Sequence, residues 1–170
     1  MDSASVLILH GSPGSGKSTL ARAMTELLRA EGVPHGVIDV DELNLIFPSP
    51  ERDFWLGNLA AVWPRYAAVP GIRMIIPTVV ADVDRLELLR AAAPAASFQV
   101  CELVAPLEVL KARVTEREPT EEWRASLRAW VDHHAARPDL EAVRDFVVST
   151  YDRTEVDAAE EVLRRAGWSV

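Results

Sequence analysis

The chain has 170 residues, 49% of them hydrophobic and 26% charged, with a net charge of −8. This is the balance of a soluble globular protein, and the length suggests one domain large enough to bury a core. The acidic balance argues against a long nucleic-acid partner, a lone cysteine (Cys101) excludes an intrachain disulfide, and no apolar stretch approaches the ~20 residues of a membrane span.

Ser5 to His10 is an apolar run stopped by glycine, which predicts a strand buried on both faces. Residues 17–30 follow as a helix, with Leu20, Met24, Leu27 and Leu28 at helical spacing and Gly32 and Pro34 behind them. Val37 to Val40 reads as a second strand, and residues 41–68 as helical with a break around Pro48 and Pro50. Ile72 to Ile76 is a third strand closed by Pro77, after which Asp82 can cap a helix to about Ala92. Phe98 to Val104 is a fourth strand. Pro106 suits the first turn of the next helix, which ends near Arg117. Thr120 to Ala136 reads as a helix and Asp145 to Ser149 as a fifth strand, and Thr154 with Asp157 resembles a capping box opening the last helix. Strands alternating with helices imply a parallel sheet covered on both faces. Residues 41–68 form an excursion between strands two and three rather than a separate domain.

The pattern G-x-x-x-x-G-K-[ST] is matched by Gly11, Gly16, Lys17 and Ser18 within the run Gly11-Ser12-Pro13-Gly14-Ser15-Gly16-Lys17-Ser18-Thr19. Glycines let the backbone curl so that successive N–H groups point at phosphate oxygens, and the following helix adds its positive dipole end. Lys17 should reach the β and γ phosphates, and the Ser18 hydroxyl should ligate Mg²⁺. Lys17 is one of only two lysines, against sixteen arginines. The bland alternative, a glycine-rich turn with no ligand, does not account for the strand before it and the amphipathic helix after it.

Asp39 and Asp41 fall at the carboxyl end of the second strand, where open α/β sheets bind ligands. Asp39 would lie beside Mg²⁺ and the γ-phosphate. Asp41 would lie further out, where it could orient and deprotonate an acceptor hydroxyl. The competing structural reading is a capping box between Asp39 and Glu42.

The loop followed by hydrophobic-Asp-x-Asp resembles the small P-loop kinases: shikimate kinase, gluconate kinase, adenylylsulfate kinase and the chloramphenicol phosphotransferase type. It is also similar to the kinase half of polynucleotide kinases and to bacterial proteins labelled AAA-family ATPases. The resemblance covers nearly the whole chain as a strand–helix pattern, but only the first 45 residues carry specific motifs. It implies a P-loop NTPase three-layer fold, with a five-stranded parallel sheet of order 2-3-1-4-5 and helices on both faces. It implies ATP as phosphoryl donor with Mg²⁺, residues 41–68 covering the acceptor, and a mobile lid at about 113–128. Within that lid, Arg117 would offset charge at the transferring group and Arg113 would contact the nucleotide.

The third strand departs from a standard Walker B because it ends Ile76-Pro77-Thr78 with no acid. Asp39 is then the best second metal ligand beside Ser18. No Asn-Lys-x-Asp guanine motif is present, which favours ATP over GTP. The nearest arginine after Asp41 is Arg52, which could hold an acceptor anion or be merely solvated. Phe47, Phe54, Trp55, Trp63 and Tyr66 fall in the same excursion, and ordinary packing is the simpler reading of them. His10 reads as a packed, hydrogen-bonded core histidine. Asp132-His133-His134 invites a metal reading, but neighbouring helical residues point about 100° apart.

The sequence thus supports a cytoplasmic ATP-dependent kinase with a small-molecule hydroxyl acceptor. Lys17, Asp41 and Arg117 are its candidate catalytic residues. The alternatives are a nucleic-acid end kinase and an ATP-binding regulatory protein that turns over slowly or not at all.

Overall fold

The computed structural model describes residues 4–48 and 50–168. The five strands are β1 (Ser5–His10), β2 (His35–Val37), β3 (Arg73–Pro77), β4 (Ser97–Val104) and β5 (Phe146–Ser149). All pair in parallel, in the order β2-β3-β1-β4-β5. The expected topology is therefore the one observed, with β1 at the centre and every carboxyl end on one edge.

Alternation along β1 divides the core in two. Leu7 and Leu9 face α1 (Lys17–Ala30) and α7 (Glu155–Arg165), packing with Met24, Leu28, Ala159 and Leu163. Val6 and Ile8 face α2 (Phe54–Ala67) and α3 (Val83–Ala92), packing with Leu59, Trp63, Leu86 and Leu89. A strand with apolar side chains on both faces must be covered on both, which explains the three layers. Leu110, Val114 and Val131 form a third, smaller cluster joining α4 (Leu107–Arg117) to α5 (Glu121–Ala135). A one-turn helix, α6 (Leu140–Val143), precedes β5.

Side-chain caps form at three of the seven helix starts. Asp82 accepts from the Arg85 N–H, Thr120 accepts from the Trp123 N–H, and Thr154 with Asp157 forms the full capping box. Pro106 stands just outside α4 as its cap residue rather than inside its first turn.

Two expectations need correction. β2 covers His35–Val37, earlier than the predicted Val37 to Val40. Pairing begins early because the Arg73 N–H donates to the Pro34 carbonyl at 3.0 Å. Ile38 continues the ladder by one hydrogen bond, its N–H donating to the Ile75 carbonyl at 3.0 Å, and Ile38 and Val40 are buried in the core just past the strand. Residues 41–53 are also not a continuous helix: a 3₁₀ turn at Glu42–Asn44 is followed by irregular chain up to α2. Ser49, inside the predicted break, lies outside the described residues. Within α2, Trp55 and Trp63 are buried in the core, as ordinary packing predicts, whereas Phe47 is 95% exposed.

Among the described residues, no helix is long and apolar enough to cross a membrane.

Candidate nucleotide-binding site

The turn between β1 and α1 is shaped by three glycines with positive φ: Gly11 at 152°, Gly14 at 78° and Gly16 at 93°. A side chain at Gly11 would bring Cβ to 2.6 Å from the Leu103 carbonyl oxygen, so this position also needs the missing atom for space. Lys17 folds back over the loop, its Nζ donating to the carbonyls of Gly11 at 2.8 Å and Ser12 at 3.0 Å. Burial lowers its pKa from 10.5 to about 8, with Arg117 adding to the fall and Asp41 opposing it. The Ser12 and Ser15 hydroxyls are buried without hydrogen-bond partners, and Pro13 sits half-buried between them and Gly14. Such unspent donors around a lysine at a helix N-terminus suit a polyphosphate.

The loop is braced from two sides. The Thr150 hydroxyl, just past β5, donates to the Ser15 carbonyl at 2.9 Å. From α4, Arg113 donates to the Gly14 carbonyl at 3.2 Å, to the Thr150 hydroxyl at 3.1 Å and to the Thr150 carbonyl at 2.9 Å. Arg113 braces the loop in this structure and also lines the adjoining cavity with Gly16, Thr19, Arg117 and Arg153. Thr150 carries no pattern in the sequence that marks it for this role.

On the opposite flank, Ser18 Oγ donates to Asp39 Oδ2 at 3.4 Å. A hydroxyl and a carboxylate so placed offer oxygen ligands suited to a hard cation such as Mg²⁺. Asp39 Oδ1 accepts from the Asp41 N–H at 3.0 Å. That bond shapes the turn after β2 and replaces the Asp39–Glu42 capping box, because the 3₁₀ turn has Asp41 at its cap and no side-chain cap bond. Asp41 is exposed, and its charge reaches Lys17. Arg117 also acts on Lys17 electrostatically, while its guanidinium pairs with Glu118 at 2.7 Å. Arg52 is exposed beyond the 3₁₀ turn.

Beneath the loop lies a polar group that sequence reasoning treated as separate residues. His10 on β1, Glu102 on β4 and His134 on α5 are buried, with ligand atoms all within 4.8 Å of one another. They come together because His10 and Glu102 are register partners in adjacent strands, and α5 lays His134 across them. Within the trio only His134 Nε2 and Glu102 Oε1 lie at hydrogen-bond distance, 3.3 Å, and His10 Nε2 is buried without a partner. Nδ1 of His10 accepts the Val80 N–H at 2.9 Å, so the ring proton sits on Nε2, the nitrogen a metal would need free. Burial, reinforced by His134, lowers His10 to about 3 and keeps the ring neutral. Burial alone would raise Glu102, but hydrogen bonds from His134 and Arg144 outweigh it and lower its pKa. The three residues 132–134 point apart as expected: Asp132 pairs with Lys111 at 2.8 Å, and His133 packs edge-on to Trp130.

A family model described as an AAA domain matches residues 6–140. The chain belongs to this AAA domain family. No curated protein sequence matches it. Among solved structures it is similar to the APS kinase of Mycobacterium tuberculosis in complex with AMPPNP and APS. That match has 22% identity, 96% of this chain and 98% of that one covered, and a TM-score of 0.69. A gluconokinase from Sinorhizobium meliloti matches at 22% identity, with 96% and 91% covered and a TM-score of 0.63. Shikimate kinase from Acinetobacter baumannii in complex with shikimate matches at 18%, with 97% and 93% covered and a TM-score of 0.60. The AAA domain chain thus has the P-loop NTPase three-layer fold of these small kinases.

Proposed function

We propose that the chain transfers the γ-phosphoryl group of ATP to a hydroxyl of a small molecule, in a cytoplasmic setting. The observation that supports this reading is that Asp39 and Asp41 follow β2 on the loop's flank, Asp39 bonded to Ser18, and that both carboxylates and Arg117 act electrostatically on Lys17.

The roles follow from position. The loop N–H groups and Lys17 hold the phosphates. Ser18 and Asp39 would hold Mg²⁺, which would offset the charge of the phosphates. Asp41 accepts a hydrogen bond from the acceptor hydroxyl and takes its proton as the oxygen attacks. The new bond joins that oxygen to the γ-phosphorus; the bond to the β–γ bridging oxygen breaks, and ADP leaves. Arg117 exchanges Glu118 for the transferring group, where its charge is worth most. In this reading residues 113–128 form the lid and 41–68 the acceptor segment of a single kinase domain. A similar kinase structure holds shikimate and another holds APS, so hydroxyl compounds of that size are the starting point for a screen.

The reading is tested by Asp41→Asn, once a screen for labelled phosphoester has found an acceptor. Transfer should fall by roughly 10²–10⁴ with ATP affinity nearly unchanged. Asp39→Asn should instead weaken the Mg²⁺ dependence. A role confined to shaping the turn predicts that Asp41→Asn is silent, because that turn uses the Asp41 backbone N–H and not its side chain.

A further inference from the structure

The outward side of α5 is not the polar surface expected of a helix that meets only water. Leu127 and Val131 turn inward to Leu110 and Val114 of α4, and residues three or four apart share a helix face. The opposite side carries Glu122, Ser126, Ala129 and His133, all exposed, with Trp123 and Trp130 along one flank. Trp123 is 59% exposed and Trp130 56%. Scattered exposed hydrophobics need no explanation, but two indoles seven residues apart stand on the same flank of one helix. Beside them Ser126, Ala129, Trp130 and His133 line a shallow hollow, and His133 packs edge-on to Trp130 with ring centroids 5.6 Å apart.

The charges of this face run from acid to base along the helix. Glu122 lies in the first turn and His133 in the last, and among the described residues neither is in an ion pair. Their neighbours are engaged within the chain, Glu121 with Arg128, and Asp132 with Lys111 at 2.8 Å.

The pair Glu122 and His133 and the pair Ser126 and Ala129 are both centred between Leu127 and Arg128, and Trp123 and Trp130 are centred one residue earlier. A two-fold axis at that point lays a second α5 antiparallel on the first and sets each residue opposite the other member of its pair. Ser126 and Ala129 are small enough to let the two backbones approach closely. Each Trp130 then lies beside Trp123 of the second copy, because the rotation keeps both tryptophan flanks on the same side. Each Glu122 meets the His133 ring of the second copy, and the two macrodipoles oppose one another. The face is thus complementary to itself in shape and in charge.

We propose that the chain forms a two-fold dimer through α5, with Trp123 and Trp130 of both copies at its centre. The proposal does not depend on the kinase reading. A contact built on one helix pair is smaller than the standard interface of about 800 Å² per partner, so the dimer should be weak, with a Kd on the order of 10 μM.

Sedimentation velocity of the full chain from about 1 to 300 μM reads the association, and the mean mass should rise from monomer towards dimer across that range. Trp130→Glu should keep the chain monomeric throughout and leave Tm and AMPPNP affinity close to wild type. Glu122→Lys should weaken the dimer roughly tenfold. Adding His133→Glu should restore most of it, because the double exchange reverses each charge pair and keeps the register. A chain that stays monomeric up to about 300 μM overturns the proposal, whatever else binds this face. So does a dimer that survives Trp130→Glu, or one that the double exchange fails to restore.

Discussion

The hydroxyl of Thr150 donates to the carbonyl of Ser15 at 2.9 Å, joining the end of the last strand to the middle of the phosphate loop. The same oxygen accepts from Arg113 at 3.1 Å, so one side chain bridges loop, strand end and α4. Thr150→Val should leave a carbonyl and a guanidinium N–H short of a partner, at a cost of about 1–3 kcal/mol. A fall in Tm of about 3–10 °C and a several-fold weaker Mg-ATP affinity are expected, with Thr150→Ser restoring most of both. Scanning calorimetry and nucleotide titration check this. Wild-type values in the valine variant would remove Thr150 from the support of the loop.

Lys17→Ala should nearly abolish Mg-ATP binding and leave the fold intact, since the other lysine, Lys111, is tied to Asp132 on α5. The wild-type lysine adds a pH dependence. With its pKa near 8, the ammonium is progressively lost above that pH in the free protein. ATP binding should then take up a proton, and affinity should drop by up to about tenfold per pH unit. The unfolded chain holds this proton up to about 10.5 and the folded chain only to about 8, so the lysine's contribution to stability rises with pH across that window. Calorimetric titrations in buffers of different ionisation enthalpy read the proton uptake directly; flat affinity through this range would contradict the assignment.

The contrast between these two residues shows what a sequence reveals and what it hides. Lys17 was legible because glycine spacing, a buried strand before it and an amphipathic helix after it all follow local rules. The sheet order followed from resemblance, and the buried strands announced themselves as apolar runs. Thr150 and the inner role of Arg113 were not legible, because a side chain bonding to a backbone carbonyl 135 residues away leaves no periodic trace. β2 was misplaced for a related reason. Ile38 and Val40 carry the hydrophobic signal of a strand, but Ile38 makes the last bond to β3 and Val40 is buried by the core past it. His134 was rightly separated from His133, yet its actual partners come from two strands that only the sheet register brings together.

His10 should make the protein acid-sensitive. It stays neutral to about pH 3 when folded and titrates near 6.5 when unfolded. Between those values the unfolded state binds more protons, so stability falls as pH drops through the window. Glu102 adds to the loss only below 4.5, because its folded pKa is lowered. Asparagine can keep the acceptor for the Val80 N–H without titrating. Urea midpoints of His10→Asn should therefore fall less steeply than wild type between about pH 6.5 and 4.5, and parallel slopes would contradict this.

Gly14→Ala should damage the loop rather than the core. The residue has φ of 78°, and an added Cβ would lie 2.8 Å from the Leu110 carbonyl oxygen on α4. The loop must shift away from α4, at a strain cost of about 1–3 kcal/mol. Mg-ATP affinity should fall by roughly tenfold or more, because donors aimed at the phosphates move together. Unchanged affinity in this variant would mean that the loop adapts freely.

The two large clusters of the core meet only through the sheet. Leu7 and Leu9 anchor the one under α1 and α7, which carries the phosphate-holding turn; Val6 and Ile8 anchor the one under α2 and α3, which carries the segment assigned to the acceptor. Alternate residues of a single strand thus keep two separately tunable modules in register. Substitutions at Leu59, Trp63 or Leu86 can alter the packing under α2 and α3 while the packing behind Lys17 stays as it is. On the kinase reading proposed above, a scaffold divided in this way would change acceptors without having to relearn how to hold its donor.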